Sequence, residues 1–118
     1  MRFLILMAEE DHADRWNALD DAGQQEVLER FRAFTASIHK QGTLVAVEAL
    51  ERPGDARTVR AGDGPGRPVT DGPLAQTAED LGGVWIVDLP DLETAVEVTK
   101  LLPPSYSIEV RPVMHAGA

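Results

Sequence analysis

DGPLAQTAEDLGGVWIVDLPDLETAVEVTKLLPPSYSIEVRPV, residues 71–113, holds a turn, a strand, a helix and a second strand in that order. Asp71, Gly72 and Pro73 are turn residues: aspartate accepts from nearby backbone amides, while glycine and proline fix the bend. Gly82 and Gly83 open a strong strand, Val84 to Leu89, apolar on both faces. Asp91 caps a helix near 91–102 whose Leu92, Ala95, Val96, Thr99 and Leu102 share one face. Pro103 and Pro104 stop it, because proline lacks the amide and clashes with the preceding turn. In the closing strand Tyr106, Ile108 and Val110 alternate with Ser107, Glu109 and Arg111, which sends the two sets to opposite faces.

Toward the N-terminus, Phe3 to Met7 is an apolar run too short for a helix and reads as a strand buried on both faces. The acidic segment from Glu9 to Asp14 reads as a loop or irregular turn. Asp20 or Asp21 then caps a helix near 20–41 with Val27, Phe31, Phe34 and Ile38 on one stripe. Gly42 is expected to end it as a left-handed residue. Leu44 to Leu50 reads as a strand, Arg52 to Gly54 as a turn and Arg57 to Ala61 as a short strand. Gly62 to Arg67 is a hairpin tip, with a brief return at Pro68 to Thr70. The order predicts an α+β, ferredoxin-like βαββαβ domain: an antiparallel sheet, two helices on one face and an elaborated middle hairpin. One domain spans 1–114, with 115–118 as a frayed tail.

Two helices cover one face of such a sheet, yet the strands at 3–7 and 84–89 are apolar on both sides. An apolar face left in water marks an interface. A homodimer packed sheet against sheet answers this; a monomer whose hairpin folds over the sheet is the other solution.

The chain resembles the DGPF domain, a branch of the YCII-related family, in its turn (Asp71, Gly72, Pro73, Leu74) and its closing IEVRPV at 108–113. The resemblance covers most of the chain and implies a dimeric α/β barrel. Some members of families with that architecture carry out cofactor-independent isomerisation, elimination or oxygenation on small molecules. DGPF relatives also occur beside, or fused to, extracytoplasmic-function sigma factors, which implies a non-catalytic regulatory role as the alternative. Against the usual family run, Leu74 replaces phenylalanine, Gln76 a glutamate and Ala78 a lysine, while Thr77 and Glu79 agree.

Composition bounds the function. The net charge of −9 and the interleaving of Arg52, Arg57, Arg60 and Arg67 with Asp55 and Asp63 argue against direct nucleic-acid binding. The same acidity would suit a basic protein partner. No cysteine is present, so disulfides and thiolate zinc sites are excluded. The apolar run after Phe3 is too short for a secretory signal or a membrane span, which fits a cytoplasmic protein.

Four residues stand out as chemistry-bearing. Asp71 and Glu79 are acid/base candidates, although turn chemistry alone accounts for Asp71 and a solvated position for Glu79. Glu109 and Arg111 lie two apart on one strand face, either as a solvated pair or as a fork for a carboxylate or enolate. His12 sits among Glu9, Glu10, Asp11 and Asp14, but no HxH, HxxxH or HExxH spacing exists, so no metal or other cofactor is expected. His39 and His115, and the serines Ser37, Ser105 and Ser107, form no recognisable triad. The expected ligand is a small anionic or enolisable molecule.

Overall fold

The computed structural model describes residues 1–74 and 79–114. The departures at Gln76 and Ala78, the agreement at Thr77 and the tail at 115–118 lie outside the described residues. The elements are β1 (Arg2–Glu10), α1 (His12–Ala18), α2 (Asp21–Gln41), β2 (Thr43–Ala49), a single 3-10 turn (Pro53–Asp55), β3 (Arg57–Val59), β4 (Val69–Asp71), β5 (Glu79–Asp88), α3 (Leu92–Thr99) and β6 (Ser107–Pro112). The main sheet runs β2-β5-β1-β6, every neighbour antiparallel. This α+β arrangement is compatible with the expected ferredoxin-like pattern. The middle hairpin, β3 with β4, forms a separate two-stranded sheet.

Strand parity sets the packing. Phe3, Ile5 and Met7 of β1 and Trp85 and Val87 of β5 point to one face and are buried there under Phe34 and Ile38 of α2 and Ala95 and Val98 of α3. Phe31, Tyr106, Ile108 and Val110 close the margins of this core. The opposite parity, Leu4, Leu6 and Ala8 with Val84 and Ile86, lies on the other face and is only partly buried. Register pairs Leu4 with Ile86 and Leu6 with Val84, so these side chains form one contiguous apolar strip.

Both long helices are capped as their sequences require: Asp20 accepts from the Gly23 amide and Asp91 from the Thr94 amide, each at 2.7 Å. Several local expectations are corrected. The segment after Glu9 is not a loop: Asp11 takes a left-handed conformation (φ 52°) that turns the chain into α1. The buried face of α3 is Ala95, Val98 and Thr99, continued by Leu102, while Leu92 and Val96 face solvent. Its regular turns end at Thr99, and the prolines follow a tightened turn bonded from Leu102 N–H to the Thr99 carbonyl. β5 begins at Glu79, so Gly82 and Gly83 lie inside the strand, at a register shift opposite Met7 and Ala8.

Gly42 is also not left-handed. Its φ of −174° is extended, and what requires glycine is contact: a Cβ there would stand 1.9 Å from the Asp88 carbonyl oxygen. The helix end is thus pressed directly on the end of β5. Gly42→Ala should lower stability by roughly 1–3 kcal/mol, the usual cost of overpacking against an unyielding neighbour. Gly54→Ala, where a Cβ meets nothing within 4 Å, should be close to neutral. Urea midpoints of the two variants check this.

Candidate functional site

One end of the strip, at Leu6 and Ala8, opens into a groove of about 1040 Å³. Leu6 and Ala8 of β1, Glu79 to Leu81 of β5 and Ser107, Glu109 and Arg111 of β6 line it, and the Leu50–Ala56 connection with Pro73 and Leu74 forms a wall. Alternation along β6 delivers Glu109 and Arg111 here while Ile108 and Val110 turn to the core side. Register places Glu109 opposite Leu6 and Arg111 opposite Leu4. The two form an ion pair through Arg111 Nη2 and Glu109 Oε2, both well exposed, so the guanidinium sits at the apolar strip with its charge partly answered.

Three of the four residues singled out from the sequence, Glu79, Glu109 and Arg111, border this one groove. Asp71 is not among its lining. It ends β4, where Arg57 directly across the hairpin binds it at 3.1 Å in the open. Exposed pairs of this kind contribute little. The bend beside it is held by Gly72 (φ 96°), whose amide donates to the Ala56 carbonyl and whose carbonyl accepts from Thr58 Oγ1.

The groove is acidic overall. Glu51, Asp55, Glu79, Asp80 and Glu109 line it against Arg52 and Arg111, and Arg52 also reaches Asp14 at 3.3 Å. Such a field repels multiply charged anions.

A second polar centre lies at the end of β1, and the sequence reading had missed it. Glu9 is only 4% exposed. Its carboxylate accepts from Ser105 Oγ at 2.6 Å and from His12 Nδ1 at 2.9 Å, and the Tyr106 phenol is near enough to feel its charge. A buried carboxylate of this kind is tolerable only when its lone pairs are used in this way. Burial first, and the negative charge of Glu9 second, push the Tyr106 phenol well above its usual range. The His12 ring lies 5.6 Å from that of Tyr106, and Phe31 continues the aromatic packing toward Trp85. Position 82 must be glycine for this: a Cβ there would approach His12 Nε2 to 2.5 Å. The missing signal was parity. Phe3, Ile5 and Met7 point inward, and one further step along the same alternation turns Glu9 inward too.

Among the described residues no three His, Asp or Glu side chains gather as they would around a metal ion, and no helix is long and apolar enough to cross a membrane. The family model of the YCII-related domain matches residues 1–116. The chain belongs to the YCII-related family. No match is found among curated proteins.

The Tyr106 environment predicts an alkaline weakness. In the unfolded chain the phenol ionises near pH 10, whereas in the folded protein it keeps its proton to higher pH. The corresponding stability is complete below pH 10 and is lost as pH rises beyond it. Melting temperatures across pH 8 to about 11 should fall more steeply for the wild type than for Tyr106→Phe.

Proposed function

We propose that the chain acts as a homodimer in which two uncovered sheet faces close into a dimeric α/β barrel, and that the groove between them binds a small anionic or enolisable molecule. The observation that supports this most is the apolar strip of Leu4, Leu6, Ala8, Val84 and Ile86, which neither α2 nor α3 covers and on which Arg111 is mounted. The shape of the chain agrees. It exposes 7947 Å², about 1,700 Å² more than the ~6,300 Å² of a compact monomer of 12.8 kDa. Its radius of gyration is 16.3 Å, against about 13.5 Å for a compact domain of this length. An interface of standard size hides about 800 Å² on each partner, well within that excess.

Inside the closed groove Arg111 would meet a carboxylate or enolate with two parallel N–H donors, exchanging Glu109 for the ligand. Glu79, at the start of β5, borders the same groove and would move the proton, and Asp71 keeps its hairpin role with Arg57. The acid surplus restricts the ligand to one negative charge at most. Acetoacetate and citrate therefore make a discriminating pair in thermal unfolding. Acetoacetate should raise the wild-type melting temperature and citrate should not. Arg111→Ala should keep the fold and lose the acetoacetate effect. Equal stabilisation of the wild type and Arg111→Ala, or a larger effect of citrate, would contradict the reading.

A further inference from the structure

The second polar centre has a geometry that structural support alone does not require. Ser105 already gives Glu9 a hydroxyl donor from the segment before β6. His12 is a second donor, and its ring is fixed by Glu9 at Nδ1, by the Tyr106 ring beside it and by Gly82 near Nε2. A carboxylate is acceptor-only, so Nδ1 must donate, and the neutral ring then carries its lone pair on Nε2. About a quarter of the side chain is exposed. That part borders a cleft of about 440 Å³ between α1 and the Leu50–Asp55 connection, which shares Leu50, Arg52 and Leu81 with the larger groove.

We propose that His12 is a general base, set in its tautomer and orientation by Glu9, that takes an activated proton from a small uncharged molecule entering this cleft. The proton passes from a carbon next to an electron-withdrawing group to Nε2. The C–H electron pair stays in the substrate as an enolate, or moves inward as a leaving group departs, and the imidazolium returns the proton to product or water. Glu9 is the positioning residue: its carboxylate faces the positive charge that the ring gains. No oxidant or cofactor enters the balance. The carboxylates facing the cleft, Asp11, Asp14, Glu51, Asp55 and Asp80, outnumber Arg52 and select against anions, hence an uncharged substrate. This inference needs neither Arg111 nor a second copy of the chain, so it stands or falls separately from the reading of the outer groove.

The probe is 5-nitrobenzisoxazole, whose ring opens on base attack. The C3–H proton goes to the base, its electron pair completes a nitrile, and the N–O bond breaks to release a coloured phenolate. The wild type should accelerate this at least ~100-fold over free imidazole at equal concentration, as positioned bases commonly do. His12→Gln can still donate to Glu9 and so preserves the packing; it should lose at least ~10-fold of that rate. His39→Ala, which removes a distant surface histidine, should keep the full rate. Glu9→Gln should lower kcat and leave KM in place, a split that a merely structural role would not give. A wild type no faster than imidazole, or a His12→Gln variant as fast as the wild type, would overturn the proposal. An unchanged kcat in a folded Glu9→Gln variant would remove Glu9 from it.

Discussion

A β-strand that is apolar on both faces needs something on both sides of it, and this constraint governs the molecule. β1 and β5 lie at the centre of the sheet, and each carries two apolar rows. Phe3, Ile5, Met7, Trp85 and Val87 make a core with α2 and α3 because those helices bring complementary stripes and are locked in place at their caps. The rows of Leu4, Leu6, Val84 and Ile86 have no such cover among the described residues. The detached β3–β4 hairpin and the Leu50–Ala56 connection wall the margin of that face without closing it, which produces the groove and the excess surface together. Groove and proposed interface are thus two consequences of one packing problem.

The buried polar centre follows the same strand logic at the other end of β1. Inward parity forces Glu9 into the position a fourth apolar side chain would hold, and a carboxylate there must be fully bonded. Ser105 and His12 come from two separate segments to bond it, so the network ties α1 and the segment before β6 to the sheet. The glycine at 82, inside a strand where glycine otherwise weakens packing, makes room for the imidazole.

What the sequence disclosed and what it withheld divide along physical lines. Helices announced themselves because caps and stripes are local: Asp20, Asp91, Phe34 and Ile38 were all legible. Alternation placed Glu109 and Arg111 on one face before any coordinates, since parity in a regular strand is fixed. The misread places depend on contacts between distant segments. Gly42 is glycine because of Asp88, and Gly82 because of His12, and neither neighbour is near in sequence. α1 escaped because it has no buried residue and thus no apolar stripe. Glu9 is hidden in the sequence because charge ordinarily marks the end of a strand, whereas β1 continues through it to Glu10. Asp71 drew attention through turn chemistry, and the structure gives it an exposed partner, Arg57, on the hairpin.

The account rests most heavily on the uncovered sheet face, and the mass of the protein in solution tests it most directly. Sedimentation equilibrium at micromolar concentration should return about twice the 12.8 kDa of one chain. Ile86→Asp, which sets a carboxylate in the middle of the apolar strip, should shift the mass to that of a single folded chain. A wild type that sediments as a stable 12.8 kDa monomer would contradict the account.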